Sequence, residues 1–334
     1  MRRACLAALA LILLAVPAGA ADVVRFGSLR VPVSVFVGIE KGFFAEQGIT
    51  VEPSFYKSGA EIAPAVATGQ VDAAVTTSGA ALFNAMGRGI RISIVAAALT
   101  LEKDGPAGDP SAIVVRKDLH DSGAVTSAAG LRGRTIAITG PGQILDSILR
   151  SYLIAGGVQP SEVKIVAMPL PDMVPALANK AIDAALAVDP FLSTLVQGNQ
   201  VAVLARASEV MPDATQAFLI YGGRLLGNRE LAVRFLRGFL KANAYQRSAA
   251  VTAEGRGELA AIYQKAVPAR SAEVYLGSAL GAARADGAVL RDGRFGLQWQ
   301  LDFLRQQGLI NAVPQLDAHF DAGMLQDALA GAKP

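Results

Sequence analysis

The sequence predicts an α/β protein of two similar lobes, each a mostly parallel sheet flanked by helices, followed by a helical C-terminal tail. Three observations point there. Short β-rich runs alternate with helical stretches from Asp22 to about Arg206, and alternation with near-continuously apolar strands marks parallel sheets covered on both faces. Residues 64–75 (PAVATGQVDAAV) recur as residues 175–186 (PALANKAIDAAL), offset by 111, with six of twelve positions identical. From Asn228 onward the alternation gives way to apolar residues at helical spacing.

The first element is a leader. Arg2 and Arg3 precede an unbroken apolar run from Ala4 to Val16, then Pro17 and small residues to Ala21. A helix of that run reaches about 20 Å, short of the roughly 30 Å of a bilayer core. The pattern predicts a secretory signal peptide over residues 1–21, cleaved after Ala20 or Ala21. No later run of eighteen apolar residues is free of charge, Gly or Pro, so the exported chain is expected to be soluble and periplasmic. Of 31 Lys+Arg and 28 Asp+Glu, the leader removes two arginines, leaving the basic excess at one. With no dense basic cluster, nucleic acid is excluded as a partner. Cys5, the only cysteine, leaves with the leader. The mature chain then has no disulfide, thiolate nucleophile or cysteine metal ligand, and Cys5 lies too early to be a lipoprotein cysteine.

The first lobe is expected to begin at residue 22 and run to 108, with strands at 23–27, 50–55, 72–76 and 91–97. KDGPAGDP (103–110) punctuates the passage to a second lobe at 109–214, with strands at 112–116, 135–139, 163–167, 183–188 and 201–205. Two weaker matches support the repeat: Val23–Gly27 with Ile136–Gly140, and Gly48-Ile49 with Gly157-Val158. In the second copy Asp172 reads as a helix N-cap, placing Pro175 in the first turn. By analogy the first copy's helix starts near Glu61, in preference to a Ser58-x-x-Glu61 capping box. A return crossing near Met211–Gly223 leads to residues 215–334, which rejoin the first lobe. The tail carries amphipathic stretches at 228–251, capped by Asn228, and at 256–266, 271–285, 293–307 and 321–330, expected to pack on one lobe.

Catalytic chemistry is hard to build from this composition. There is no G-x-S-x-G elbow and no Walker A sequence. His120 and His319 both read as surface residues, and no His/Asp/Glu group has metal-ligand spacing, so neither metal nor cofactor is expected. Gly140-Pro141-Gly142 lies between strand and helix but lacks the third glycine of a dinucleotide fingerprint and the acid that would hold a ribose. What remains is a receptor. Thr139-Gly140-Pro141-Gly142-Gln143 offers backbone amides at a helix start, which can bind an anion or serve turn geometry alone. Ser78 and Asp189 occupy matching repeat positions just past a strand's C-terminal end, the edge where open α/β sheets bind ligands. Asp189 reads equally as a ligand contact or a cap for the helix after Pro190.

At these residues the sequence resembles the periplasmic substrate-binding proteins of ABC importers, in the group that binds nitrate, sulfonates, taurine and thiamine pyrimidine precursors. The resemblance rests on GIEKGFFAEQGITVEP (38–53), SGAEIAPAVATGQVDAAVTTSGAAL (58–82), LRGRTIAITGPGQILDSILR (131–150), VKIVAMPLPDMVPALANKAIDAALAVDPF (163–191) and NRELAVRFLRGFLKANAY (228–245), in order along most of the chain. It implies a type II two-lobe periplasmic binding protein with a two-strand hinge, closing on a small-molecule ligand in the interlobe cleft. It also implies a monomer that delivers this ligand to an inner-membrane ABC permease with its ATPase. The family's contact regions fall on Ser28, Arg30, Pro32, Ser78, Gly79, Thr100, Thr139, Gly140, Gly142, Gln143, Ile144, Asp189, Phe191 and Tyr221. Arg30 and Arg224 sit near these regions and either could supply a cation, with Arg224 reading preferably as a surface residue just beyond the hinge. The family's thiamine-pyrimidine synthases carry a cysteine-rich motif that the mature chain lacks, so a binding protein is expected and not an enzyme. A sulfonate or carboxylate is the favoured ligand, with a pyrimidine precursor or aromatic acid as alternatives. A sensory binding protein, or a cofactor-free enzyme on the same fold, is the rival from another class.

Overall fold

A computed structural model describes residues 21–268 and 271–331; residues 1–20 of the expected leader, with Cys5, lie outside the described residues. Within the described residues the strands are β1 (Asp22–Leu29), β2 (Ile49–Tyr56), β3 (Ala73–Thr77), β4 (Ser93–Thr100), β5 (Ser111–Arg116), β6 (Thr135–Ile138), β7 (Lys164–Ala167), β8 (Ala184–Val188), β9 (Val201–Arg206) and β10 (Thr215–Tyr221). Helices α1 (Ser34–Glu40), α2 (Gly59–Ala67) and α3 (Ala80–Gly87) belong to the first lobe. Helices α4 (Lys117–Asp121), α5 (Ile144–Ala155), α6 (Leu170–Ala178), α7 (Phe191–Gln197) and α8 (Ala207–Val210) belong to the second. After β10 come α9 (Gly223–Leu226), α10 (Arg229–Ala249), α11 (Ala253–Ala266), α12 (Ala272–Gly277), α13 (Leu297–Gln306) and α14 (Ala322–Ala330). None is long and apolar enough to cross a membrane.

The two sheets share one plan. Their orders are β2-β1-β3-β10-β4 and β7-β6-β8-β5-β9. Four strands of each run one way, and β10 or β5 runs against both its neighbours. The odd strand has a simple cause. β4 ends at the edge facing the other lobe, so the chain enters the second sheet at that edge and β5 must run back along it; β10 does the same on return. Apolar runs such as AIVV in β5 and AALAV in β8 pack on both faces, with separate core clusters on each side.

The internal repeat proves structural. Its aspartates clip β3 to β1 in the first lobe and β8 to β6 in the second. Asp72 accepts the Arg25 amide at 3.0 Å and its own amide reaches Arg25 O; Asp183 does the same with Thr135, its carboxylate accepting the amide at 2.9 Å. Gly48 and Gly157, also matched, both take left-handed φ (68° and 73°), a conformation in which glycine escapes the Cβ clash.

Several expectations are corrected. Helix α2 starts at Gly59 after Ser58, and α6 at Leu170 after Pro169; Asp172 lies in the first turn and is not the cap. Pro64 and Pro175 therefore stand inside their helices. Each deprives one early carbonyl, on exposed Ala60 or Pro171, which water can serve. The Glu61 carboxylate accepts the Lys57 amide (3.1 Å) and not that of Ser58. Residues 215–221, read as part of a crossing, form the fully buried strand β10. Only 272–277 of the expected 271–285 helix forms. Beyond it Gly281 and Gly287 take positive φ, and the segment runs extended along the hinge, with Gly281 N–H to Ala107 O and Ala97 N–H to Gly287 O. Asn228 caps α10 as expected, accepting from the Leu231 amide at 3.1 Å.

The tail does not pack on one lobe alone. Leu297, Leu301 and Leu304 of α13 enter the first lobe's core, while Phe295 and Trp299 pack on the second lobe's. Arg150 on α5 donates to Gln307 at 3.2 Å. Nearby, Gly79 and Gln143 form an antiparallel bridge between the lobes, with Ala80 N–H to Gly142 O (2.7 Å) and Ile144 N–H to Ser78 O (3.0 Å).

Candidate ligand-binding site

The C-terminal edges of the two sheets face each other, and the loops there enclose two joined spaces. The inner is a cavity of about 90 Å³. Its first-lobe wall comes from Pro32, Ser34, Val75, Thr76, Ala98, Leu99, Gln216 and Ala217, and its second-lobe wall from Pro110, Thr139, Gln143, Leu145, Val188 and Asp189. The tail closes it with Gln246 and Ala279–Gly281. The outer is a chamber of about 720 Å³ lined by Arg30, Phe55, Lys57, Glu61, Met168, Asp172 and Phe191 among others; the two share Leu29, Val31, Thr139, Gln143 and Leu170.

Of the residues expected from sequence, Pro32, Thr139, Gln143 and Asp189 line the inner cavity, and Arg30 and Phe191 the outer chamber. The others line neither. Ser28 is buried with its hydroxyl on Leu29 O (3.0 Å), and the Ser78 hydroxyl donates to Gln300. Gly79 and Ile144 belong to the interlobe bridge, with Gly140 and Gly142 beside it; a Cβ on Gly79 would lie 2.9 Å from Gly142 O. Thr100 faces a separate small space with Asp213 and Arg284. Tyr221 is wholly buried in the first lobe's core, its hydroxyl donating to Ala232 O (3.0 Å) and its ring edge-on to Phe235; burial raises its pKa well above the ordinary range.

The expected anion receptor at Gly140–Gln143 is engaged in part within the chain. The Gly142 amide donates to Asp146 Oδ2 at 2.8 Å, and the Ile144 amide to Ser78 O. Asp146, fully buried and paired with Arg150 (2.7 Å), takes one of the amides an anion would use. Asp189 resolves the same way. Its oxygens accept the amides of Ser193, third residue of α7, at 2.8 Å and of Ala279 in the tail at 2.7 Å. Burial raises its pKa, opposed by these two donors and by Arg206. Asp189→Ala is expected to lower stability by roughly 2 kcal/mol in urea denaturation, from a lost cap and an unpaired amide. An unchanged midpoint would show that water serves both amides.

Five polar residues of the inner wall, Ser34, Thr76, Thr77, Gln216 and Gln246, escaped sequence reasoning. Gln246 falls on the buried stripe of α10 with Phe235, Phe239 and Ala242, and a polar residue in that register was a readable signal. It accepts from Tyr263 (2.7 Å) and donates to Gly281 O. Gln216 of β10 pairs with Ser111 across the hinge. Ser34, buried, has a hydroxyl with no hydrogen-bond partner.

Residues 24–262, which include both sheets and the return strand, match the model of the NMT1-like family. The chain belongs to the NMT1-like family. No curated protein matches it, but solved structures do. The alkanesulfonate-binding protein SsuA from Xanthomonas axonopodis pv. citri, bound to MOPS, shares 17% identity over 89% of this chain and 97% of that one, with a TM-score of 0.69. The periplasmic nitrate-binding protein NrtA from Synechocystis PCC 6803 shares 16% over 94% and 89%, with a TM-score of 0.73. The desulfurization enzyme DszB shares 14% over 93% and 100%, at 0.61. At such identities the likeness is one of fold, and the fold of this NMT1-like protein is the two-lobe periplasmic binding arrangement expected from sequence.

Proposed function

We propose that this NMT1-like protein is an extracytoplasmic solute receptor. It is exported by a cleaved leader, captures a small organic acid between its lobes, and hands it to an ABC permease. The observation that carries this reading is the pair of spaces between the two sheet edges. Among the described residues Arg30, in the outer chamber, has no carboxylate partner and rests 4.6 Å over the Phe55 ring. A sulfonate or carboxylate with an apolar body suits this layout: the body fits the inner walls and the charge meets Arg30 outside. The SsuA and NrtA likenesses, whose names state sulfonate and nitrate binding, support the same class of role.

DszB shows that an enzyme can share this fold. Catalysis here would need a base in the inner cavity. Among the described residues Asp189 is the only titratable side chain in that wall, and two backbone amides hold its oxygens.

A thermal-shift panel of sulfonates, carboxylates, aromatic acids, thiamine pyrimidines and nitrate tests the proposal. An organic carboxylate or sulfonate at a hundred times its Kd is expected to add about 2.7 kcal/mol, a rise in Tm of roughly 5 °C. No shift from any class, with turnover of one of them, would overturn the receptor reading.

A further inference from the structure

The inner cavity holds polar groups without a partner, in a wall whose one described charge, Asp189, is already engaged. Among the described residues no Lys, Arg or His lines it. Asp189 is held by two amides, Gln246 by Tyr263 and Gly281, and the Gln143 carbonyl by the Thr139 hydroxyl at 2.9 Å. Ser34, Thr76 and Thr77 differ from these in having no hydrogen-bond partner for the hydroxyl, and of the three only the Ser34 Oγ is wholly enclosed. Ser34 is 4% exposed, its Oγ has no hydrogen-bond partner, and it lines the cavity. A buried hydroxyl left unpaired is costly, and a bound molecule that supplies an oxygen or nitrogen there removes the penalty. A full charge brought into the same walls would lose its hydration and find no counter-ion.

We propose that the inner cavity receives the uncharged end of the solute, a short apolar fragment bearing one carbonyl, ether or hydroxyl oxygen that pairs with Ser34, while the acid group stays outside beside Arg30. This rests on the receptor reading, and it sets the protein apart from binders of compact ions or zwitterions, which have no uncharged end. Specificity then resides in the inner oxygen, because a site built to pair with a polar group rejects the analogue that lacks it.

Two measurements test this, one of them independent of any ligand. In the full chain carrying Cys5→Ser, Ser34→Cys supplies a single thiol. Its modification by neutral methyl methanethiolsulfonate is compared with that by the anionic sulfonatoethyl and cationic trimethylammonioethyl reagents. Rates are normalised to a Val251→Cys control, where the native side chain is 63% exposed. The neutral reagent is expected to react at least tenfold faster than either charged one; equal rates would overturn the uncharged cavity. In the second, pentanoate and 4-oxopentanoate are titrated against wild type and Ser34→Ala. The wild type is expected to prefer the oxo acid by at least fivefold and Ser34→Ala to lose that preference. A preference that survives in Ser34→Ala removes Ser34 from the site. If neither acid binds wild type while the labelling pattern holds, this solute class fails as the cargo and the cavity's polarity stands.

Discussion

Replacing Asp72 by alanine is expected to cost about 2–4 kcal/mol of folding stability. The carboxylate is wholly buried and takes bonds from the Arg25 amide (3.0 Å), Arg25 Nε (3.1 Å) and Nη2 (2.6 Å), and Arg224 Nη1 (2.9 Å). Arg224, read from sequence as a surface residue, is thus part of the clip that joins β1, β3 and the return strand's end. Removing the carboxylate orphans an amide and two guanidinium groups. Both arginines are nearly half exposed (42% and 46%), so water rehydrates them, which holds the cost below that of a fully buried pair. The repeat supplies an internal control. Asp183, its counterpart, is 20% exposed, so Asp183→Ala is expected to cost only about 1–2 kcal/mol. Burial pushes the Asp72 pKa up, but the bonds from Arg25 and Arg224 outweigh it and leave the pKa below its ordinary value. Its contribution is therefore full above the unfolded carboxyl range, about pH 4, and disappears as pH falls through the lower folded value. Urea midpoints across pH check both statements. An Asp72→Ala loss under 1 kcal/mol would mean that the clip is dispensable.

The second large effect concerns the seam between the lobes. Gly79→Val is expected to cost about 2–3 kcal/mol and to loosen the lobes on the α13 side. The backbone at Gly79 is extended and suits any residue; the constraint is space. A Cβ there meets Gly142 O at 2.9 Å and Gln143 Cα at 3.2 Å, both backbone atoms that cannot swing aside. Relief requires the two loops to separate, breaking the bonds from the Ala80 amide to Gly142 O and from the Ile144 amide to Ser78 O. Hydrogen exchange reads this directly: both amides should exchange faster in Gly79→Val, while the amides of β1 and β6 keep their protection. Unchanged exchange at Ala80 and Ile144 would show that the seam tolerates a side chain.

Much of the fold was legible because two signals are local. Apolar runs between turn residues located nine of the strands, and the repeated Asp-Ala-Ala marked the same clip in both lobes. The strand that escaped, Thr215–Tyr221, is fully buried, yet Met211-Pro212 and Gly222-Gly223 bound a seven-residue β-rich run of the right length. The site was legible only in outline. Proximity to strand ends brought Pro32, Thr139, Gln143 and Asp189 to the cavity, but whether an amide is free depends on its partners, and those of Ile144 and Ala279 are distant in sequence. Nothing around Asp189 in the sequence says that Ala279 will supply its second donor. Likewise only the tail's return along the hinge carries Leu280 into the wall.

The central claim is that the solute sits between the lobes. Ala98 of β4 lines the inner cavity from a half-buried position beside the first lobe's core, so a larger side chain there takes up cavity space. Isothermal titration of wild type and Ala98→Phe with the acid that gives the largest thermal shift tests the claim most directly. The expected result is a loss of affinity beyond a hundredfold in a variant whose circular dichroism is unchanged. Equal affinity in the two proteins would place the solute elsewhere and contradict the interlobe receptor.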